Sequence, residues 1–434
     1  MISKSLIKNI ILDNQQREIP DLWERSQIIP VDSKKIVTLT GVRRSGKTYC
    51  LYALIQKLKN SGIQRERIVY LNFEDERLDF NSQELDLIIQ AYQELFPKQK
   101  LKDCFFFFDE IQEAPGWEKF ITRIHDMICS NIFITGSNAR LLSQEIATSL
   151  RGRSLTYEIF PFSFSEYINI QTQHTNPYNS SDRAVIVHQF DQFLAYGGFP
   201  ELIKLNPSLK EKSLQEYFNV MLFRDIVDHY HVSNISTLKY FCKRLIGSSA
   251  GEFSVHKIFN ELKSQGYRLS KDSIYAFQEY VESVYMCRFV KKWSPSVIKS
   301  EGALRKCYVI DHGLGSALDY KFSQDKGRRL ETLVALELIK SGKSIYYQQN
   351  GCECDFVVTE KGVVSEAIQV SLDISDPQTR DREIKGLLQC CKYHKLDSGY
   401  ILTLDYEERI EIDETTIQII PVWRYLLRHE QNDL

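Results

Sequence analysis

One stretch of the chain combines residue types and spacing that suit phosphate binding. Gly41-Val42-Arg43-Arg44-Ser45-Gly46-Lys47-Thr48 matches the pattern G-x-x-x-x-G-K-[ST] between a predicted strand and a predicted helix. Its glycines let the backbone wrap around an anion, and the N–H groups of the helix N-terminus add partial positive charge. We expect Lys47 to reach the outer phosphates of a nucleotide and Thr48 to offer its hydroxyl to Mg²⁺. A chance match in a turn is the alternative interpretation.

A pair of carboxylates follows another predicted strand. Residues 105–108 are phenylalanines, as is typical of a buried central strand, and Asp109 and Glu110 come next. Ligands of α/β proteins bind at the carboxyl ends of such strands. We expect Asp109 to hold Mg²⁺ through water and Glu110 to orient or deprotonate the attacking water. A solvated strand end is the alternative, and the coincidence with the phosphate loop argues against it.

Polar and basic side chains follow a further predicted strand. Residues 132–134 precede Thr135-Gly136-Ser137-Asn138, which would bring Ser137 or Asn138 within reach of the γ-phosphate or the attacking water. An arginine that reaches the transferring phosphoryl group is worth roughly 10³ to 10⁵ in rate. We therefore predict Arg151 or Arg153 as an arginine finger. An exposed turn with ion-paired arginines is an equally supported alternative.

The sequence also bears on which nucleotide we expect the loop to bind. No guanine-reading N-K-x-D sequence occurs in the chain, which favours ATP over GTP. Arg43 and Arg44 lie inside the phosphate loop, where we expect them to contact the nucleotide or a neighbouring domain. The predicted cofactors are therefore ATP and Mg²⁺.

These side chains need a sheet that brings several strand ends together. From residue 36 to residue 137, short β-rich runs alternate with amphipathic stretches, which indicates an α/β fold with a parallel sheet covered by helices. The predicted strands are residues 36–40, 68–73, 105–108 and 132–135. A capping-box pattern at Ser163 and Glu166 predicts a helix beyond this sheet.

Length and composition exclude some classes of protein. The 434 residues suggest about two to four domains. Lys and Arg total 55 against 57 Asp and Glu, so no global positive field recruits nucleic acid, and any such binding is local. The sequence shows no signal peptide and no run of about eighteen apolar residues, so we expect a cytoplasmic protein without a membrane partner. The ten cysteines are interpreted as free thiols rather than disulfides or a zinc site.

The remainder of the chain divides into two further segments. Residues 204–320 are mostly helical, and their second half resembles a winged helix, with a packing module as the alternative. From residue 321 a helix at 330–340 precedes strands at 344–347, 355–358, 363–370 and 399–404, which indicates another α/β domain. We predict domains at 1–203, 204–320 and 321–434.

Taken in order, these motifs resemble bacterial and archaeal AAA-type ATPases that join an N-terminal P-loop domain to a C-terminal domain of unknown function. The resemblance spans nearly the whole chain. Besides the phosphate loop it is carried by Leu71-Asn72-Phe73-Glu74-Asp75, Asp109-Glu110-Ile111-Gln112, Thr135-Gly136-Ser137-Asn138, Gly152-Arg153, Pro161-Phe162-Ser163-Phe164, Gly197-Gly198-Phe199-Pro200 and Arg224-Asp225-Ile226. It implies a P-loop sheet with an added strand between the phosphate-loop strand and the metal-binding strand, then a winged-helix-like region. It implies no particular cellular role.

The last domain of that family resembles the restriction-endonuclease fold. An active site of that type needs Asp, then Glu or Asp, then Lys two residues later. Glu331 and Asp355 occupy matching positions, whereas Gln369 and Ser371 replace the second acid and the lysine. A neutral amide binds a hard cation poorly, and a missing ammonium removes a transition-state contact, although Lys385 could substitute in principle. We favour a degenerate fold that binds nucleic acid or a partner over an active metal-dependent nuclease.

The leading functional hypothesis is an Mg²⁺-dependent ATPase in which hydrolysis drives or gates domain rearrangement. The alternative is a nucleotide-gated switch that binds a DNA or protein partner through the C-terminal half with little turnover. An arginine finger acting in trans would require a homo-oligomer, whereas one acting in cis would not.

Overall fold

The computed structural model describes residues 2–137, 150, 152–172, 179–349 and 351–428. The chain divides into two compact units, one formed by residues up to 160 with 283–285, and the other by residues 161–282 with those from 286 onward. The division into three domains at residues 203 and 320 stays a prediction. Within the described ranges, no helix has the length and apolar character needed to cross a bilayer.

A five-stranded parallel sheet forms the centre of the first unit. Its strands are β1 (Ile36–Thr40), β2 (Ile68–Asn72), β3 (Phe105–Asp109), β4 (Ile132–Thr135) and β5 (Ser154–Glu158). Their order across the sheet is β2-β3-β4-β1-β5. The strand before the phosphate loop, β1, is therefore separated by β4 from β3, the strand that ends in the carboxylates. This confirms the α/β fold class and the added strand that the resemblance implied.

The first unit buries both faces of this sheet. Its described helices are α1 (Lys4–Gln16), α2 (Lys47–Asn60), α3 (Asp86–Leu95) and α4 (Trp117–Met127). Because side chains alternate along a strand, Phe106 and Phe108 enter one apolar cluster, and Phe107 enters another on the opposite face. The phenylalanine run is thus a central strand, as predicted.

Strand β5 was not predicted from the sequence. This edge strand is only partly buried and mixes polar with apolar residues, so it lacks the continuous apolar run that marked the others. Its strand conformation comes from parallel pairing with β1, in which Leu39 lies opposite Tyr157. Pairing with a buried neighbour therefore decides its conformation, not its own composition.

A nine-stranded mixed sheet organises the second unit, in the order β13-β14-β12-β11-β10-β9-β7-β8-β6. Its strands are β6 (Gly251–Phe253), β7 (Cys287–Lys292), β8 (Arg305–Val309), β9 (Ser344–Gln348), β10 (Cys354–Glu360), β11 (Val363–Val370), β12 (Ser398–Thr403), β13 (Glu408–Ile412) and β14 (Thr415–Pro421). Parallel pairing of β7 with β9 joins strands from both sides of residue 320 in one sheet.

Helices surround this second sheet. Those described are α5 (Phe164–Gln171), α6 (Ser180–Tyr196), α7 (Pro207–Val220), which continues as a π-helix (Met221–Asp228), α8 (Ile235–Gly247), α9 (Val255–Ser264), α10 (Lys271–Ser283), α11 (Val297–Gly302), α12 (His312–Leu318), α13 (Tyr320–Gln324), α14 (Lys326–Lys340), α15 (Pro377–His394) and α16 (Val422–Arg428). The capping box predicted at Ser163 is confirmed, because its hydroxyl accepts from the Glu166 N–H and the Glu166 carboxylate accepts from the Ser163 N–H.

The Gly197-Gly198 motif allows segments of the second unit to pack closely together. Gly197 has φ +78° and ψ −167°, a region that only glycine adopts readily. The Asp311 carboxylate accepts a hydrogen bond from the Gly198 N–H at 2.8 Å, and a Cβ on Gly197 would lie 1.9 Å from its Oδ1. A Cβ on Gly198 would lie 2.3 Å from the backbone oxygen of Phe162. The motif thus holds α6 against the start of α12.

We expect Gly197→Ala to lower the free energy of unfolding by about 3 to 5 kcal/mol, because the added methyl group combines backbone strain with a collision against Asp311. Gly266→Ala is the matched control, since Gly266 has φ +86° and no atom within 4 Å of an added Cβ. The control should cost only about 1 to 2 kcal/mol. Denaturant unfolding measures both losses, and equal losses would show that the Asp311 contact imposes no constraint.

Candidate nucleotide site

The phosphate loop connects the end of β1 to the start of α2. Gly41 and Gly46 have φ values of +139° and +101°, which favour glycine. A Cβ on Gly41 would lie 2.2 Å from the backbone oxygen of Ile159, so the backbones approach too closely for a side chain. Gly46 caps α2 without a side-chain hydrogen bond. The N–H groups of the first turn of α2 are therefore suited to bind an anion.

The Lys47 ammonium is held against the loop. Its Nζ donates to the backbone oxygens of Gly41 at 3.1 Å and Val42 at 3.3 Å, and it lies 3.9 Å from Oε1 of Glu110. The side chain is only 4% exposed, so these partners compensate a buried charge. The Ser45 hydroxyl is also buried, with no hydrogen-bond partner among the described residues. A phosphate oxygen would satisfy that hydroxyl, so the donor set fits a nucleotide phosphate.

Asp109 ends β3 and is fully buried. Its carboxylate accepts hydrogen bonds from the Tyr70 hydroxyl at 2.8 Å and from the Thr135 hydroxyl, and it is also hydrogen-bonded to the Thr48 side chain. Burial and the neighbouring Glu110 raise the pKa of Asp109, and the three hydroxyls act in the opposite direction. Thr48 and Asp109, both predicted to hold Mg²⁺, are thus in contact, and an oxygen-only set of this kind suits that cation.

Glu110 leaves the strand in a left-handed conformation, with φ +48°. Its two carboxylate oxygens each lie 2.9 Å from the Ser137 hydroxyl, and Oε2 accepts from Nε2 of Gln112 at 2.6 Å. Burial acts to raise the pKa of Glu110, but Lys47 and these hydrogen bonds hold it below its usual value. Glu110 is therefore an ionised carboxylate beside the phosphate loop.

One hydroxyl connects the two carboxylate residues. Thr135, at the end of β4, accepts a hydrogen bond from the Glu110 N–H at 2.8 Å and donates to Asp109. Because β4 lies between β1 and β3, its carboxyl end is well placed to bridge the loop and the carboxylates. The strand predicted to contribute Ser137 therefore contributes Thr135 as well.

Comparisons with known proteins agree with this geometry. A family model described as an AAA domain matches residues 33–168, and a domain of unknown function matches residues 187–325. An uncharacterized protein of Methanocaldococcus jannaschii is 34% identical over 98% of this chain and 96% of that protein. One of Haemophilus influenzae is 30% identical over 92% of this chain and 95% of that protein. The chain belongs to the AAA-type P-loop ATPase family.

This AAA-type protein also has more distant likenesses among solved structures. The Walker-type ATPase of Pyrococcus abyssi has a TM-score of 0.43 and 15% identity, covering 69% of this chain and 99% of that chain. AMPPCP-bound DnaA from Aquifex aeolicus has a TM-score of 0.24 and 14% identity, covering 58% of this chain and 82% of that chain. These solved structures are too different to be used as evidence about the phosphate loop and its neighbours.

Three arginines lie in or against the phosphate loop of this AAA-type protein. The Arg25 guanidinium donates to the backbone oxygens of Ser45 at 3.1 Å and Phe160 at 2.7 Å. Arg43 forms an ion pair of 2.9 Å with Glu74, in the segment after β2. Arg44 is exposed and has a positive φ of 70°. The position of Arg43 is thus set by a contact within its own unit.

The two predicted arginine fingers have different outcomes. Arg153 precedes β5 beside the start of β1, where its backbone oxygen accepts from the Ile36 N–H and its Nε donates to Asp126 at 2.8 Å. The phosphate loop follows the other end of β1, about 15 Å away along a five-residue strand. The structure therefore does not bring Arg153 to the site of its own chain. Arg151, like Asn138, lies outside the described residues.

Some contributors to this site carried no usable signal in the sequence. Tyr70 lies on β2, and only the pairing of β2 with β3 shows that its hydroxyl can reach Asp109. Arg25 precedes β1 in an irregular segment without a recognisable pattern. Gln112 ends the motif that begins at Asp109, yet its spacing gave no reason to expect a hydrogen bond to Glu110. Each contact depends on strand order or on a turn and not on local composition.

The cysteines near the end of the chain lie in apolar surroundings. All ten cysteines are free and buried, and Cys352, Cys354, Cys390 and Cys391 share one apolar cluster. Burial raises the pKa of Cys391 to about 12, and a hydrogen bond with Cys354 together with burial raises that of Cys390 further. Across the described part of the chain, no group of three or more His, Cys, Asp and Glu residues is arranged to hold a metal ion.

Proposed function

We propose that this protein binds ATP with Mg²⁺ and hydrolyses it, and that turnover drives or gates domain rearrangement. One observation carries the proposal: Lys47, Thr48, Asp109 and Glu110 form a connected polar cluster at the carboxyl edge of the parallel sheet. These residues come from separate segments of the sequence, so a chance match of the loop pattern does not account for their convergence. Ligands of such sheets bind at this edge.

Each side chain has a role that its contacts support. The N–H groups at the start of α2 and the Lys47 ammonium would hold the β- and γ-phosphates. Thr48 and Asp109 would hold Mg²⁺, which when bound neutralises charge on the phosphate oxygens. Glu110, kept ionised by Lys47 and Gln112, would orient the attacking water or accept its proton.

Steady-state ATP hydrolysis in the presence of Mg²⁺ tests this function directly. We expect turnover that disappears when the cation is chelated. ATP binding without turnover above buffer would remove the hydrolysis proposal and support the nucleotide-gated switch instead. No binding of ATP would contradict both.

An exposed basic face favours DNA as a partner of the second unit. Residues 254–306 contain ten Lys and Arg against five Asp and Glu, although the whole chain carries a net charge of −2. Lys263 of α9 and Lys271 of α10 approach the Phe259 ring from either side of a turn that also carries Arg268. These three cations, which we call the basic face, are exposed and form no ion pair among the described residues. Such a face suits a phosphate backbone.

Filter binding of double-stranded DNA over a series of salt concentrations tests this candidate. We expect Lys263→Gln/Lys271→Gln to weaken binding about tenfold at low salt and to reduce the slope of log K against log salt by about 2, because two phosphate contacts are lost. Lys98→Gln/Lys100→Gln, which removes two exposed lysines of the first unit, is the matched control. If both double variants bind DNA equally, the basic face is not the interface.

The placement of Arg153 bears on the oligomeric state. Because Arg153 lies at the edge of the sheet opposite its own phosphate loop, a finger role would require a second copy of the chain. A homo-oligomer, which the sequence left open, is therefore proposed only together with that role.

A further inference from the structure

A partly buried lysine occupies the centre of the site that resembles a nuclease. Lys306, on β8, places its Nζ 2.8 Å from Oε1 of Glu331 and 3.1 Å from Oδ1 of Asp355. All three side chains are 13–15% exposed. Glu331 belongs to α14 and Asp355 to β10, so three separate elements meet at this ammonium. We call these residues the lysine triad.

Other donors complete the shell of the two carboxylates. The Tyr308 hydroxyl donates to Oε1 of Glu331 at 2.9 Å, and the Val370 N–H donates to Oδ2 of Asp355 at 3.1 Å. The Lys306 ammonium is thus the cation that faces both carboxylates, at 2.8 Å and 3.1 Å.

The residues that could complete a metal site are engaged elsewhere. Gln369 accepts from the Asp355 N–H at 3.1 Å and donates to Glu383 at 2.6 Å, so both ends of its amide are used. The Ser371 hydroxyl donates to the backbone oxygen of Asp373. Lys385, which the sequence offered as a substitute, is exposed and makes no contact with the triad among the described residues. An ammonium from β8, a strand that precedes the motif, lies between the two acids instead.

This arrangement does not fit a divalent cation. Mg²⁺ needs several oxygen ligands at about 2.0–2.1 Å in octahedral geometry. A cation between Glu331 and Asp355 would have to occupy the space of the Lys306 ammonium and would be repelled by it. We propose that Lys306 permanently substitutes for a divalent cation at this centre, so that the triad holds the sheet together without metal and cuts no nucleic acid. This inference is independent of the proposed ATPase function.

The test is Mn²⁺ binding to the full chain without nucleotide, followed by electron paramagnetic resonance, for four proteins. They are the wild type, Lys306→Met, Lys306→Arg and Lys306→Met/Asp355→Asn. We expect Lys306→Met to bind one additional Mn²⁺ per chain, because it leaves two acids without a cation. Lys306→Arg keeps the charge, and the double variant lacks one ligand, so neither should gain the ion.

Thermal unfolding provides a second readout. Lys306→Met should melt below the wild type and recover about 2 to 3 °C in Mn²⁺ at tenfold its Kd, whereas the wild type and Lys306→Arg should not respond. A folded Lys306→Met, judged by circular dichroism, that binds no additional Mn²⁺ would overturn the proposal.

If Lys306→Met fails to fold, Mn²⁺ binding by the wild type and by Asp355→Asn still tests the proposal. Equal Mn²⁺ binding by the wild type and Asp355→Asn supports exclusion of the cation by Lys306. Binding by the wild type that Asp355→Asn removes, or cleavage of DNA with Mn²⁺ that depends on Asp355, would show that the acids hold a metal despite the ammonium.

Discussion

Glu110→Gln is expected to lower kcat for ATP hydrolysis by about 10² to 10³-fold while ATP affinity changes by less than about threefold. The substituted amide keeps the shape of the side chain and can still accept from Ser137 and Gln112. It cannot accept a proton from water, and it loses the charge that faces Lys47 at 3.9 Å. The effect should therefore fall on the chemical step and not on binding.

Glu113→Gln is the control for this variant, because it makes the same substitution at an exposed position three residues along the chain. Turnover is measured by phosphate release with Mg²⁺, and affinity by equilibrium binding of ATP. If Glu110→Gln hydrolyses ATP as fast as the wild type, Glu110 does not act on the attacking water. A matching loss of kcat in Glu113→Gln would point to a general effect of charge instead.

Lys47→Met is expected to weaken ATP binding by about 10²-fold, because a charged donor to the outer phosphates is lost while the apolar stem remains. Hydrolysis at saturating ATP should also fall, since the same ammonium faces the transferring group. Affinity is measured by fluorescence or calorimetric titration with ATP and Mg²⁺. This variant therefore combines a binding defect with a catalytic one, in contrast to Glu110→Gln.

Lys57→Met serves as the matched control, since Lys57 is an exposed lysine of the same helix, α2. Lys47 also compensates Glu110, so circular dichroism and thermal unfolding must show that Lys47→Met is folded. A folded Lys47→Met that binds ATP as tightly as the wild type would exclude the phosphate loop as the nucleotide site. That result would contradict the proposed function as a whole, which the Glu110 variant alone cannot do.

A lysine with carboxylate neighbours occurs in each unit, and the two lysines differ in their partners. In the first unit, Lys47 bonds to backbone oxygens of a loop whose N–H groups suit an anion, so its charge can be shared with a phosphate. In the second, Lys306 lies within 3.1 Å of both acids, so its charge is fully used inside the protein. The same residue type therefore favours ligand binding in one place and a closed ion cluster in the other.

The local pattern of the sequence was sufficient for the elements that carry the nucleotide site. The phosphate loop needs particular residues at fixed spacing, because backbone approach at Gly41 and the turn at Gly46 tolerate no ordinary side chain. The buried strands are visible because both faces are apolar, as the run before Asp109 illustrates. The predicted bounds of β1 and β4 therefore match the structure, and those of β2 and β3 differ by one residue.

Contacts between neighbouring strands could not be predicted from the local pattern of the sequence. The Tyr70 hydroxyl reaches Asp109 only because β2 pairs with β3, and β5 forms a strand only because it pairs with β1. The position of Arg153 at the far edge of the sheet likewise follows from the parallel register of β5. Sequence spacing placed Arg153 near the polar strand end, whereas pairing places it at the opposite edge.

The sequence by itself determined the phosphate loop and the side chains that the proposed ATPase function uses, which are Lys47, Thr48, Asp109 and Glu110. The resemblance of its motifs also drew attention to Glu331, Asp355, Gln369 and Ser371. Only the tertiary structure decided that Lys306, 49 residues before Asp355, supplies the ammonium between the two acids. The physical reason is that local side-chain patterns determine a strand or a turn, whereas a charge cluster is satisfied by whichever neighbouring strand delivers the missing ion.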